Sequence, residues 1–418
     1  MLKAARTNDL RSQNRSRVLR VVRRAGVVSR TDIGDLTGLS PATISTITSD
    51  FLDEGVLIPP RPEKVAGQGR GRPKVALQIN PDTAIVCAVY FQLNLVSVEL
   101  VDYAGTFLGE FSQELQSRKL KLEEIRNVLS DCIHRGLKHC GLKKSALSRI
   151  ALGFQGVTDA EGARVLWTPI CSQKNLPVCQ WLEQEFAVPV KVANDCDRIA
   201  QALNWREPQK YGSNFGAVLL AHGVGMGLHL GDGIINGIRS SGFEFGHMTY
   251  MPNGALCRCG RRGCIEAYAG DYAIKRRALG ESDQTPPADL LAVPDLDSIL
   301  EAARNKDKNA IAAIEEAGAA IGTGLASLYT LLDRFPVVFV GRGTELFSLM
   351  KESIETSIGT AHGDGDEQLP DIQCFPQEAP LVQEGAAISA LLQHDEELAG
   401  NRIPVSAIAP PLQTEKLI

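Results

Sequence analysis

Four side chains able to bind a soft metal ion fall within 18 residues: His247, Cys257, Cys259 and Cys264. Three thiolates and one imidazole are the ligand set of a closed tetrahedral zinc site, and glycines at 254, 260 and 263 let the chain bend around an ion. Four protein ligands leave no open position for a catalytic water, so such a site would be structural. The neighbouring arginines 258, 261 and 262 would favour the thiolate form. The spacing departs from the common Cys-x-x-Cys pattern, and a redox-active or merely exposed Cys-x-Cys pair is the alternative. The other seven cysteines (Cys87, Cys132, Cys140, Cys171, Cys179, Cys196, Cys374) are scattered and read as small buried hydrophobes.

Three acids fall near this knot. Asp195 follows an apolar strand-like run, Glu244 lies three residues before His247, and Glu266 lies two after Cys264. Carboxylates fixed beside a metal knot could hold a polyhydroxylated ligand through charge-assisted hydrogen bonds. The plainer alternative is acids scattered on loops.

These groups need a scaffold, and from Ala84 onward the texture is α/β. Ala84 to Val101 reads as strand, turns at Asp102–Gly105, and resumes at Thr106–Leu108. A helix is predicted around Leu122–Cys140 and strands at Arg149–Phe154 and Val188–Val192. Asn194-Asp195 then opens a helix reaching Leu203. A strand at Phe215–Leu220 leads into a glycine-rich turn carrying Gly223, Gly225 and Gly227. A helix pair spans Ile299–Leu332, a strand Val337–Val340, and a last helix Gly385–Gln393 before a loosely held tail from Gly400.

Ahead of this body stands a different module. Val18, Val21 and Val22 recur at helical spacing among Arg15, Arg17, Arg20, Arg23 and Arg24. A second helix from Thr31 to Gly38 turns Ile33 and Leu36 inward. Ser40 followed by Pro41 starts a third, with Ile44, Ile47 and Phe51 on its inner face. Its outer face offers Ala42, Thr43, Ser45, Thr46 and Ser49. Two apolar runs then flank Gly67-Gln68-Gly69-Arg70-Gly71-Arg72-Pro73-Lys74, the pattern of a β-hairpin wing. Together these read as a winged helix-turn-helix. Phosphate anchoring is expected from Arg15, Arg17 and Arg30, base and shape reading from Ser40, Ala42, Thr43, Ser45, Thr46 and Ser49, and minor-groove insertion from Arg70 and Arg72. A basic loop exposed for solubility is the alternative for the wing.

The charge distribution agrees. The chain has 418 residues and a formal net charge of −5, but residues 1–80 hold 14 Lys/Arg against 7 Asp/Glu. A basic head on an acidic body suits a nucleic-acid-binding module joined to a sensor or enzyme. No N-terminal signal peptide is read, because the first 24 residues carry eight basic side chains and no apolar core. The longest uncharged stretch, Tyr211–Gly231, contains six glycines and two histidines, unlike a membrane span. The expectation is a cytoplasmic protein, not membrane-embedded, with reduced cysteines.

Taken together, these residues resemble the ROK family of repressors, open reading frames and sugar kinases. The resemblance rests on Glu244-x-Gly246-His247, on Cys257-x-Cys259-Gly260-x-x-Gly263-Cys264-x-Glu266, and on Asn194-Asp195 after a strand. Gly223-x-Gly225-x-Gly227, Asn236-Gly237 and the helical Gly-Leu-Ala-Ser-Leu run before Pro336 carry it further. It implies a two-lobed, actin-like (ribonuclease H-like) body behind the winged helix. The expected parts are a DNA-binding domain at 1–80 and an N-terminal lobe at 81–195 with 385–399 returning to it. A C-terminal lobe at 196–384 carries the zinc knot and dimerisation helices, and 400–418 is a tail.

The resemblance also assigns effector binding to Asn194, Asp195, Glu244, His247 and Glu266, and structural zinc to His247, Cys257, Cys259 and Cys264. In this reading His247 serves zinc through one nitrogen and a ligand hydroxyl through the other. A family Asn expected after a Pro is Ile170 after Pro169, unless Asn175 replaces it. Family kinases carry Asp-x-Gly-Gly-Thr at the first phosphate turn. Here the corresponding Tyr90-Phe91-Gln92-Leu93-Asn94 has neither carboxylate nor glycines, and His222 stands where a Thr is usual in the second. Phosphoryl transfer depends on that cradle, so no kinase activity is expected.

The implied function is a transcriptional regulator, a repressor of sugar uptake or catabolism genes acting on a palindromic operator in double-stranded DNA. Its partners would be a sugar or sugar-phosphate effector, a sugar-transporter protein, and a second copy in a homodimer or tetramer. An ATP-dependent sugar kinase with an appended DNA-binding domain is the rival reading.

Overall fold

The computed structural model describes residues 7–60, 76–231, 233–241, 243–287, 293–361 and 372–400. The chain divides into two compact units, one of Met1–Leu152, Pro177–Val192 and Ala386–Ile418, the other of Gly153–Leu176 and Ala193–Gly385. The expected boundaries at 80/81 and 195/196 are not where this division falls. The N-terminal module belongs to unit 1, and unit 2 begins at Gly153, crosses briefly back into unit 1, and resumes at Ala193.

Unit 1 opens with α1 (Thr7–Ala25), β1 (Val27–Ser29), α2 (Arg30–Thr37) and α3 (Pro41–Asp53). Capping fixes both short helices. Ser29 accepts from the Asp32 N–H at 3.2 Å, and Ser40 accepts from the Thr43 N–H at 3.2 Å with Pro41 in the first turn. The hairpin β2 (Leu57–Ile58) and β3 (Ala76–Ile79) is antiparallel, as expected for a wing, and β1 adds to it in the order β1-β3-β2. The tip, with Arg70 and Arg72, lies outside the described residues. Val18, Leu19, Val22, Ile33, Ile44, Ile47 and Phe51 form the module's core. Leu36, expected inward, is 65% exposed on α2.

The rest of unit 1 is built on a five-stranded sheet. Its strands are β4 (Ile85–Gln92), β5 (Leu95–Asp102), β6 (Phe107–Glu114), β7 (Leu147–Phe154) and, after the unit-2 strands β8 (Val157–Thr158) and β9 (Val165–Trp167), β10 (Val190–Asn194). The run from Ala84 to Val101 is not one strand: β4 and β5 pair as an antiparallel hairpin that turns at Leu93-Asn94, with Asn94 at φ 59°. The helices are α4 (Leu122–His139) and α5 (Val178–Phe186).

Unit 2 continues with α6 (Asp195–Arg206), α7 (Pro208–Tyr211), β11 (Phe215–Leu220), β12 (Val224–Leu230) and β13 (Gly233–Ile234). There follow α8 (Glu266–Ala269), α9 (Asp271–Ala278), α10 (Val293–Arg304), α11 (Lys308–Leu332), β14 (Val337–Val340), α12 (Phe347–Ala361), β15 (Gln373–Phe375) and α13 (Ala379–Gly400), which runs on into unit 1. Gly225 and Gly227, expected in a turn, lie within β12, paired to Leu219 and Ala217.

The two sheets share one plan. Numbered within each sheet, both have the order third-second-first-fourth-fifth: β6-β5-β4-β7-β10 and β13-β12-β11-β14-β15. In each, the first three strands form an antiparallel meander. This is the expected actin-like α/β body. α11 has the length and composition of a membrane span, but its apolar face (Ile314, Ala317, Ile321, Leu325) is buried in the unit-2 core.

Candidate effector pocket and metal centre

A cavity of about 90 Å³ lies wholly within unit 2. Of the residues that the resemblance assigns to effector binding, Asn194, Asp195, Glu244 and Glu266 line it, and so do Gln155, Trp167 and Phe243, which sequence reasoning did not single out. No motif marks these three residues. Gln155 and Trp167 lie in the stretch between β7 and β10, for which no strand was predicted before Val188, yet β8 and β9 form a small sheet there that carries Trp167.

Strand β10 ends where α6 begins, and Asn194 is the hinge between them. Its side-chain oxygen accepts from the Cys196 N–H at 2.7 Å, capping α6, while its amide donates to the Gly156 carbonyl at 2.7 Å. Asn194 is therefore committed to shaping the pocket, and Asp195 presents the functional group. Asp195 is 3% exposed, and burial pushes its carboxyl up to about 7 against the lowering effect of the Cys196 N–H. Asp197, one turn face away and 5% exposed, is likewise pushed up to about 7 by burial.

Gly223, before β12, and Gly225, within it, close the pocket by close approach. A Cβ on Gly223 would sit 2.5 Å from Glu266 Oε2, and one on Gly225 would sit 2.5 Å from Cys196 Sγ. Glu266 is thereby drawn against the backbone, where Oε2 accepts from the Val224 N–H at 3.3 Å. Its other oxygen accepts from Tyr272 Oη at 3.4 Å and lies 3.6 Å from Cys257 Sγ. One carboxylate thus touches both the cavity and the cysteine cluster.

His247, Cys257, Cys259 and Cys264 offer donor atoms that all lie within 4.8 Å of one another. Cys259 Sγ and Cys264 Sγ are 3.8 Å apart, and Cys257 Sγ lies 3.7 Å from His247 Nδ1. Tetrahedral bonds of about 2.3 Å to sulfur place two ligand sulfurs about 3.8 Å apart, so the donor set fits a metal ion. The loop is held open for it by its backbone: the Cys257 N–H donates to the Arg261 carbonyl at 2.9 Å, and the Gly260 N–H to the Cys257 carbonyl at 2.9 Å. His247 does not line the cavity. Its Nδ1 faces the cysteines, and its Nε2 lies 3.6 Å from Glu244 Oε2, so Glu244 stands where a ligand hydroxyl was expected. Ile170 is buried in the core and Asn175 is an exposed turn residue at φ 53°, so neither supplies the missing family Asn.

In the N-terminal module, Ser40, Ala42, Ser45, Thr46 and Ser49 are exposed along one side of α3, with Thr43 half-buried at its start. Arg17 is exposed and donates to the Thr37 carbonyl at 2.7 Å, and Arg30 is half-buried. Arg15 departs from expectation. It is 4% exposed, donates to Glu54 at 2.5 Å and to the Leu398 carbonyl at 3.1 Å, and lies 4.1 Å over the Phe51 ring. Its charge is spent inside the protein, so it is not a phosphate contact.

The β4–β5 turn, which the resemblance matches to the first phosphate turn of family kinases, is held by side-chain hydrogen bonds. Asn94, at the β4–β5 tip, accepts from the Ser117 N–H at 3.1 Å and donates its own N–H to Ser117 Oγ at 3.2 Å. His222 Nδ1 is held 2.9 Å from Asp271 Oδ2.

The chain is 24% identical over 347 residues to a protein named putative xylose repressor from Caldicellulosiruptor sp. (strain Rt8B.4), covering 82% of this chain and 86% of that one. It is 29% identical over 335 residues to the DNA-binding transcriptional repressor Mlc of Escherichia coli (strain K12), covering 78% and 80%. A crystal structure of a ROK family transcriptional regulator, described as a homologue of the E. coli Mlc protein, superposes with a TM-score of 0.75 at 22% identity, over 94% of this chain and 99% of that one. The ROK family profile matches residues 102–382, and with the cavity and cysteine cluster inside that span, the chain belongs to the ROK family.

Proposed function

We propose that the protein is a DNA-binding transcriptional repressor of sugar uptake or catabolism genes, controlled by a sugar bound in the unit-2 cavity. The observation that carries this reading is the joint presence, in one chain, of a winged helix with a hydroxyl-rich outer face on α3 and a carboxylate-lined cavity in a kinase-type body. The kinase turn supports the non-catalytic half of the reading. A phosphate cradle needs free backbone N–H groups and room beside them, whereas the Gln92-Leu93-Asn94 tip is a side-chain-bearing hairpin stapled to Ser117. The relatives named as repressors support the regulatory half.

The four-donor cluster would hold zinc. The ion would neutralise the thiolates and fix the segment between His247 and Glu266, so that Glu244 and Glu266 reach the cavity from a rigid base. The protein would act in the cytoplasm as a homodimer or tetramer. One winged helix gives little specificity, and paired half-sites of a palindromic operator multiply it. A sugar-transporter protein remains a further partner of this reading. Sugar binding shifts DNA affinity through whatever difference in affinity the sugar has for the DNA-competent and DNA-incompetent forms.

The test is a gel shift with genomic fragments recovered from cells by pull-down of the bound protein, titrated with a panel of sugars. Retarded fragments enriched for sugar-metabolism promoters, released by at least one sugar, are the expected result. Ordinary ATP-dependent turnover of any hexose would overturn the non-catalytic reading, and native protein free of zinc by elemental analysis would end the metal assignment.

A further inference from the structure

Arg258 stands between Cys257 and Cys259, yet its side chain reaches a wall of the effector cavity: Nη1 donates to the His222 carbonyl at 2.6 Å. Resting on the effector reading, we propose that Arg258 is a positioning residue through which the metal centre sets the cavity's affinity for its sugar.

That wall is the turn Ala221-His222-Gly223 between β11 and β12. Ala221 and Gly223 line the effector cavity of about 90 Å³, while Ala221 and His222 line a second cavity of unit 2, of about 160 Å³. With open space on two sides, the turn has little packing to hold it, so hydrogen bonds decide where it sits. One stretch of chain, 258–271, supplies them. Glu266 Oε2 accepts from the Val224 N–H at 3.3 Å just past the turn, Asp271 Oδ2 lies 2.9 Å from His222 Nδ1, and Arg258 holds the His222 carbonyl.

Of these three, Arg258 is the one set between two of the proposed metal ligands. Its guanidinium lies 4.6 Å over the Tyr272 ring, and its own N–H donates to Tyr272 Oη at 3.3 Å, which in turn donates to Glu266 Oε1 at 3.4 Å. The long side chain is thus aimed before it meets the carbonyl. Ordering an arginine costs rotamer and backbone entropy, and metal bonds to Cys257 and Cys259 would remove the backbone part in advance. A turn already held in place leaves the sugar less to order on binding, whereas a loose turn lowers the affinity by the cost of ordering it. Losing the ion and losing the arginine therefore weaken binding by the same route.

The experiment is isothermal titration of the full-length protein and its variants with xylose, glucose and N-acetylglucosamine, with zinc measured on the same samples by elemental analysis. Arg258→Ala should keep its zinc and bind the sugar taken by the native protein about tenfold more weakly, the scale of one hydrogen bond from a charged donor. Arg258→Lys, which keeps a charged donor, should recover part of the loss. Arg262→Ala, in the same loop but bonded to the Gly254 carbonyl and Gln284 instead of the turn, should leave the affinity unchanged. Stripping zinc with a chelator should weaken binding by the native protein and much less by Arg258→Ala, since both remove the same tie. If stripping unfolds the protein, the zinc-bound variants decide alone. Native affinity in Arg258→Ala, loss of its zinc, no recovery in Arg258→Lys, or an equal loss in Arg262→Ala overturns the inference and leaves the sugar-sensing reading standing. If the native protein binds none of these sugars, both are overturned.

Discussion

At the residue scale the pocket turns on Asp195. Its carboxyl is buried and pushed up to about 7, so its change of protonation falls near neutral pH. A sugar hydroxyl donating to this group favours the ionised form, and binding must therefore expel a proton wherever the free protein still holds one. The sign follows: affinity rises as pH rises through 7 and levels off above it. Between about pH 6 and pH 8 the association constant should climb by roughly tenfold, the change in the ionised fraction of a group titrating near 7. Titration calorimetry across that range, in buffers of different ionisation enthalpy, reads both the affinity and the proton release. Asp195→Asn should bind more weakly and lose the slope. If the slope persists, Asp197, buried beside it with a carboxyl raised to a similar degree, is the titrating group instead. Asp195 and Glu266 were legible because they sit in short motifs whose spacing carries chemistry. Trp167 was not, because a single aromatic in a strand of three residues, paired to one of two, has no pattern to announce it.

At the scale of elements, helix starts were the most readable feature, since a cap is local chemistry: Ser40-Pro41 and Asn194-Asp195 both begin helices where expected. Long-range partners were not readable. The arginines of α1 looked alike in sequence, yet Arg15 and Arg23 are interior groups. Arg23 forms a two-pronged pair with Asp395 of α13, at 2.9 and 2.7 Å, lies 4.5 Å over the Tyr103 ring, and Tyr103 Oη donates to Asp395 at 2.5 Å. Both charged side chains are 4% exposed. The β4–β5 hairpin was missed for a related reason. Phe91-Gln92-Leu93-Asn94-Leu95 lacks the glycine or proline that usually marks a turn, and the left-handed Asn94 is stabilised by Ser117, more than twenty residues away. The Arg23–Asp395 pair gives a sharp expectation. Removing one partner strands a buried charge, so Asp395→Ala should destabilise unit 1 by about 3–5 kcal/mol. Replacing both, as R23M with D395L, leaves no charge stranded and should cost far less. Urea unfolding followed by a probe in unit 1 checks this, and equal losses in the single and double variants would mean that packing, rather than charge, holds α1 to α13.

At the scale of the whole molecule the sequence showed two kinds of matter joined, a basic head and an acidic body, but it hid that the body repeats one strand plan twice. The repeat survives as topology alone, because strand order is set by which edges pair, and many apolar sequences satisfy the same order. The basic head makes a quantitative claim about DNA. Phosphate contacts release counterions, and each one contributes about 0.9 to the slope of log affinity against log salt. Arg15 lies inside the protein and should contribute nothing to that slope, while Arg17, on the exposed side of α1, should contribute about one. The double variant R70A/R72A should weaken operator binding sharply and lower the slope by about two per head, hence about four for a dimer. Gel shifts between about 50 and 200 mM salt separate these cases. A slope left unchanged by the double variant would show that the wing does not grip DNA. A slope lowered by Arg17→Ala, with operator preference unchanged, would place α1 on the phosphate backbone and leave sequence reading to the hydroxyls of α3.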